Sequence, residues 1–493
     1  MYDSIASVNT IASVNFHVSP FCETGETYPA DDAATMSSFD EYAANPRFLE
    51  LQEELRAVLF TGVASHTPSR SNSPTQSDRA DQPDVPASST RTFNIDFTNL
   101  SIPKVRLIKY LKNWIDVCAP HLDKFDEERH FGIHAPIIAR SSPALLYAIL
   151  AFSARQTERR NRHEEYTDSL ELYQESIRRL APCLQAKEPN VLVTVCILAC
   201  LELMSVSPRD WRRHVEGCAA LMGSLNVNGM SGGLLQAVFW CYARMDLCGA
   251  LTSNDAESMV LHINKWVPTV SGFCSSLEEE EDMVKDMFFQ KSRLVPDMHA
   301  NWAVYLCAKT CYLVSRRTRY LEFGEVDTFD PRPFQSQWTR LWEELCFWTE
   351  HRPPAMLPIK TTSASGSQIF PEVLFTHWAA ISGNQLYHTA CILMLEVAPQ
   401  SQLLQPLMPH YSAIWHARRV CGISLTNPHS GNLINAIQPL YIAGKLFSHR
   451  SEHLAVAKLF KICESTTGWG ALWRLKDLER VWGYNAGEIL AMI

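Results

Sequence analysis

From about residue 103 to residue 482, apolar side chains return every three or four positions, and no segment alternates convincingly at period two. The first spacing is that of a helix and the second that of a strand, so the chain is confined to helices packed on helices, and no sheet is expected. Tyr166, Leu170, Tyr173, Ile177, Leu180 and Leu184 make one such stripe, and Val105, Ile108, Leu111, Ile115 and Cys118 make another. Ser142–Pro143 offers an N-cap and a first-turn proline ahead of the apolar run ALLYAILAFSARQ. The run Val191–Met204 carries Glu202 and falls short of the ~20 residues a membrane span needs, so it reads as a buried core helix. Further helices are predicted near 209–225, 233–251, 299–321, 334–350, 371–396, 410–424, 433–447, 452–466 and 471–482. Breaks are expected at 226–233, in the acidic region 275–298 and in the Pro/Ser-rich loop 352–369. Stacked helical hairpins follow from this pattern, although no fixed period marks a named repeat.

Ahead of the helical region the composition changes. Residues 1–44 are rich in Ser, Thr, Ala and Asp and are expected to form a disordered acidic tail. A short amphipathic helix is predicted over 45–60 from Phe48, Leu51, Leu55 and Leu59, followed by a Ser/Thr/Pro-rich linker over 61–95 and one helical domain over 96–493. Of the net charge of −9, thirteen acidic and five basic residues place −8 before position 96, which leaves about −1 for the rest. A nearly neutral body argues against a surface that holds DNA directly. Residues 1–20 show neither a basic start nor a continuous apolar stretch, so no secretory signal and no membrane partner are expected. The fifteen cysteines are odd in number and sit mostly in apolar runs, among them Cys196 and Cys200, Cys241 and Cys248, and Cys307 and Cys311. They read as buried thiols in a reducing compartment, cytosolic or nuclear.

Four stretches carry a resemblance when taken in order. They are PALLYAILAFSARQTERR (143–160), WRRHVEGCAALM (211–222), FWCYARMDLCGAL (239–251) and the closing segment 437–482 with PLYIAG and TGW. In that order and spacing, the chain resembles the fungal-specific transcription factor domain, the helical region downstream of a binuclear zinc cluster. The resemblance covers about residues 100–485, and NPRFLELQEELRAVLFTGVAS (45–65) is similar to a segment that often lies between cluster and regulatory domain. It implies an all-α regulatory domain of stacked antiparallel helices, a nuclear location and regulation of transcription, with a metabolic, even a secondary-metabolite, gene set as the expected target. It also implies protein partners, a zinc-cluster protein among them; a small-molecule effector is left unidentified. The cluster needs six thiolates in a short basic segment beginning CxxCxxxxxxC. In this sequence Cys22 is the only Cys before Cys118, and no CxxC pair occurs, so these residues cannot build the cluster: either an upstream exon encodes it, or the protein regulates without touching DNA. A non-catalytic helical scaffold or adaptor is the alternative.

Candidate chemistry is sparse, and no catalytic, metal, cofactor or DNA-binding residue is assigned. His130 and His134 have HxxxH spacing after Asp126, Glu127 and Glu128, but Phe131 stands where a zinc protease has Glu. Asn254, Asp255 and Ser258 match the start of the NDxxSxxxE magnesium motif of helical isoprenoid cyclases. His262 replaces the last carboxylate, and Asp123, Asp126, Glu127 and Glu128 only loosely imitate the upstream acidic cluster. That enzyme reading ranks third. His449–His453 and His214–Cys218 read as packing, and Gly468–Trp469–Gly470 reads as a turn between helices. Arg155, Arg159, Arg160 and Arg162 read as the solvated end of a helix before an import signal, and Trp338, Trp342 and Trp348 as core.

Overall fold

The computed structural model describes residues 45–66, 100–161, 167–186, 190–205, 211–252, 260–268, 274, 276–326, 329–366, 368–399 and 409–493. The expected tail 1–44 and the linker beyond residue 66 lie outside the described residues. Helices follow one another as α1 (Pro46–His66), α2 (Lys104–Asn113), α3 (Ala119–Leu122), α4 (Ala135–Ala139), α5 (Pro143–Arg160), α6 (Asp168–Gln185) and α7 (Val191–Ser205). Then come α8 (Trp211–Ser224), α9 (Gly233–Thr252), α10 (Leu277–Ser292), α11 (Pro296–Phe323) and α12 (Phe334–Glu350). After a hairpin of β1 (Lys360–Thr362) and β2 (Glu372–Leu374), the chain closes with α13 (Trp378–Glu396), α14 (Ala413–Thr426), α15 (Ser430–Gly444), α16 (Arg450–Thr467) and α17 (Leu472–Trp482). Neighbours in sequence pack as neighbours in space, as α5 on α6, α7 on α8, α10 on α11, and α13 through α16 in series. Residues far apart in sequence also meet where α16 lies against α5 and α15 against α3. The fold is all-α, as the periodicity requires.

The apolar run over α7 is buried along its whole length, and so are Ala144–Gln156 of α5. Helices without a polar face need neighbours all round. For α5 these are α2, α6, α7 and α16. Pro143 opens α5 as expected, but the Ser142 side chain makes no capping hydrogen bond.

Four expectations are corrected. On α2 the stripe Val105, Ile108 and Ile115 faces outward, with 79%, 67% and 48% exposure, while Leu107, Tyr110 and Trp114 are buried. The segment carries apolar residues on two faces, and α5 chooses one of them: Ser153 Oγ donates to Tyr110 O at 2.7 Å. A π-helical turn over Trp114–Cys118 then shifts the phase and brings Cys118 inside. The acidic region 275–298 is no break but the start of α10. Ser276 accepts from Glu279 N at 3.2 Å, and Glu278, Glu279 and Glu280 occupy the first turn, where the helix dipole favours carboxylates. Arg332 and Lys309 answer Glu281 from elsewhere in the chain, at 2.9 and 3.6 Å. The loop 352–369 contains β1, and β2 occupies the start of the helix predicted over 371–396, which begins only at Trp378. With three residues each, the strands are too short to show alternation; they pair antiparallel with Thr361 opposite Val373.

The fourth correction concerns α1, which continues to His66 and is part of the body. Phe48, Leu51, Leu55 and Leu59 are buried against α6 and α8; Phe48 lies 5.9 Å from the Tyr173 ring, and a Cβ on Gly217 would sit 2.6 Å from Leu59 Cδ1. Burying four such side chains contributes roughly 1.5–3 kcal/mol each. A specific protease site placed between residues 75 and 85 should therefore be cut without releasing the N-terminal piece, which co-elutes with the body on gel filtration. Phe48→Ala with Leu55→Ala should release it. Loss of the piece from the otherwise unaltered chain would show that α1 is not held by these contacts.

Candidate functional site

Where α7, α9 and α15 meet the end of α3 and the turn before α17, a cavity of about 110 Å³ remains. Its walls are mostly apolar, with Leu203 from α7, Met245 and Leu251 from α9, Ile437 from α15 and Trp473 from α17. Polar groups enter from several directions. Lys124 is buried, and its ammonium donates to Gly431 O at 2.8 Å. Arg244 donates to Leu122 O at 2.7 Å and lies 5.2 Å over the Phe125 ring. His121 Nδ1, Asn435 Nδ2 and Trp469 Nε1 are buried without a hydrogen-bond partner. On α15 the residue that would bond Asn435 O is Pro439, which has no N–H, so the helix is locally unsatisfied beside the cavity. Burial, reinforced by Lys124, pushes the His121 pKa down to about 3, which keeps the ring neutral at ordinary pH. Burial, and then Arg244, hold the Lys124 ammonium well below the ordinary lysine range.

One wall is sulfur. Cys196 and Cys200 lie one turn apart on α7 and face Cys241 of α9, with all three sulfurs within 4.8 Å of one another. Cys200 Sγ is 3.8 Å from Cys241 Sγ and 3.4 Å from Met245 Sδ. The sequence showed these thiols as scattered small apolar residues; face-to-face packing of two helices brings them together. Hydrogen bonding within the group and then burial hold Cys196 well above the ordinary thiol range, and burial lifts Cys248 to about 11.

The positions singled out in the sequence are placed as follows. His130 and His134 lie in a π-helical turn with rings stacked at 4.7 Å, and with Glu128 they form a second group whose ligand atoms fall within 4.8 Å. His130 Nδ1 already meets Asp126 at 2.9 Å. Asp123 accepts from Phe131 N and Gly132 N, each at 2.8 Å, so these carboxylates fasten the local backbone. Asn254, Asp255 and Ser258 lie outside the described residues; His262 accepts from Asn264 N as the cap of a short turn. His449 caps α16, and His453 stacks on Trp482 at 4.2 Å. The side chain of His214 is outside the described residues, while Cys218 is buried. Gly468 ends α16 in the left-handed conformation, as a turn requires. The basic run is not a solvated end: Arg155 is buried and donates to Ser205 Oγ at 3.0 Å, and Arg159 bonds Gly468 O. Arg160 is exposed, and Arg162 lies outside the described residues. Trp338, Trp342 and Trp348 are core, with Trp338 stacked on Trp342 at 5.3 Å. Lys124 and Arg244, the charged groups of the cavity, carried no signal in one dimension except that Arg244 lies within one of the four motif stretches.

The sequence pattern of the fungal-specific transcription factor domain matches residues 109–488. The chain belongs to this family. Transcription activator AMTR1 of Alternaria alternata is 23% identical over 364 residues, which cover 62% of this chain and 45% of that protein. The chain thus spans about half the length of this relative. No solved structure matches. In this member of the family, three of the four motif stretches line the cavity or its supports: FWCYARMDLCGAL supplies Cys241, Arg244 and Met245, the closing segment supplies Pro439 and Trp469, and PALLYAILAFSARQTERR carries Arg159 onto Gly468. Among the described residues no helix is long and apolar enough to cross a membrane.

Proposed function

We propose that the chain is the regulatory region of a nuclear transcription regulator that controls a metabolic gene set and acts through protein partners. The family match across residues 109–488 carries this reading. The description of AMTR1 as a transcription activator supports its transcriptional sense. Two features favour partners over direct reading of DNA. The body after residue 95 is close to neutral, and Arg155 and Arg159 of the basic run at 155–162 are spent on internal hydrogen bonds. The partner meets the helical surface, and a zinc-cluster protein supplies the DNA-reading helix that the cysteines of this chain cannot build.

Two measurements test the proposal. A tagged chain should accumulate in the nucleus, and its deletion should change transcripts of a coherent metabolic set. The purified chain should give no sequence-selective shift of promoter fragments at ~150 mM salt, where the Debye length is ~8 Å. Unchanged transcripts would leave a non-catalytic scaffold in place of a regulator, and a selective shift by the pure chain would overturn the dependence on partners.

A further inference from the structure

The cavity between α7, α9 and α15 holds an imbalance that the fold does not resolve. Lys124 and Arg244 both line it, no Asp or Glu is among its lining residues, and among the described residues neither cation forms a salt bridge. An ammonium has three N–H groups, and only one bond, to Gly431 O, is made. Buried charge and unmade hydrogen bonds are unfavourable unless a partner of opposite character is supplied. Trp469 Nε1, a donor only, and Asn435 Nδ2 are unpartnered at the same cavity. The unfilled capacity is thus for an acceptor that carries negative charge, while the remaining walls are apolar. Size narrows the choice further: 110 Å³ is somewhat below the ~150 Å³ that takes up a benzene ring in an apolar protein cavity.

We propose that this cavity is an effector site for a small organic acid. Its carboxylate meets Lys124 and Arg244, and its apolar body, a short chain, rests on Leu203, Met245, Leu251 and Ile437. Trp469 and Asn435 complete the acceptor's hydrogen bonds. The groups facing Lys124 are Arg244, Cys241 and Cys248 of α9, Cys200 of α7, His121 on its own segment and His429 ahead of α15. None is a carboxylate; the thiols of Cys241, Cys200 and Cys248 favour protonated Lys124, and a bound acid adds to them. Affinity therefore falls as pH rises through the lowered Lys124 pKa. As the region joins α9 to α15, occupancy would stiffen the contact between these two helices. That regulatory consequence rests on the function proposed above; the binding does not.

Titration calorimetry of the full chain with propionate and butyrate, against the neutral isostere butyramide, tests the site. The acids should bind one to one at about millimolar strength or tighter, and the amide about tenfold more weakly, the effect of losing a charge-assisted hydrogen bond. Lys124→Met should remove the preference for the acids. Leu251→Trp, which fills the cavity without touching a charge, should abolish binding of all three while the melting transition persists. Equal binding of acid and amide, saturable binding that survives Leu251→Trp, or no heat from either acid at ~10 mM would overturn the proposal. Binding is measured on the isolated chain, so a negative result here and a negative transcript result are read separately.

Discussion

Truncation after residue 430 is expected to leave a chain that no longer melts cooperatively. Residues 431–493 contain α15, α16 and α17, and their side chains Leu440, Ile442, Leu459, Phe460, Leu475 and Leu478 are all buried. At roughly 1.5–3 kcal/mol for each fully buried side chain, these six alone represent about 9–18 kcal/mol, as much as the entire net stability of a typical domain. The cut also strips polar groups of their partners in the part that remains. Lys124 loses Gly431 O, Ser382 loses its 2.6 Å bond to Asn432, and Gln156 in the middle of the core loses Thr467 O at 3.2 Å. The expected product keeps helical far-ultraviolet dichroism, loses its near-ultraviolet signal and binds a hydrophobic dye, or it precipitates. A soluble truncation with a sharp melting transition would show that the domain ends before α15. Among the apolar residues of this segment, Ile462 faces outward at 40% exposure, so Ile462→Ala is not expected to reproduce any part of the effect.

Gly422→Ala is expected to destabilise the protein by about 2–3 kcal/mol, although alanine is the better helix former by about 1 kcal/mol. A Cβ at position 422 of α14 would lie 2.0 Å from Pro371 O and 3.1 Å from Pro371 C. Both are backbone atoms, so no rotamer change relieves the clash. The segment cannot swing aside either, because Asn427, which caps the end of α14, pins its continuation: Asn427 Nδ2 donates to Val373 O at 2.7 Å, and Phe375 N donates to Asn427 Oδ1 at 3.0 Å. The hairpin and α14 would have to separate together. A fall in melting temperature of about 3 °C is the expected readout. Gly223→Ala on α8 is the control, because a Cβ there meets nothing within 4 Å, and it should raise stability by up to about 1 kcal/mol. A neutral Gly422→Ala would mean that the hairpin is not fastened to α14 as described.

Much of the fold is legible in one dimension because helices announce themselves locally. The spacing of Tyr173, Ile177, Leu180 and Leu184 gives the buried face of α6, and the unbroken apolar run gives α7. Where the reading failed, information from elsewhere in the chain was needed. The acidic start of α10 looks like a break until Lys309 of α11 and Arg332 of the loop before α12 arrive to neutralise Glu281. The outward stripe of α2 is as periodic as its buried one, and only contact with α5 decides between them. The family was legible for the reason that its motifs are contiguous stretches. The cavity was not, since its cations come from the end of α3 and from α9, and its orphaned groups from α3, α15 and the turn before α17.

By itself, then, the sequence determined what each segment is: helical spacing, an uneven distribution of charge, and too few clustered thiols to build a zinc cluster. These are properties of residues a few positions apart, and the backbone geometry that reads them is local. Tertiary structure alone decided which of two apolar faces is buried, that α1 belongs to the body, that Cys196, Cys200 and Cys241 meet, and that Lys124 and Arg244 share a cavity without a carboxylate. Those outcomes depend on distances between residues far apart in sequence, from Cys200 and Cys241 to Lys124 and Gly431, and such distances are fixed only when helices pack.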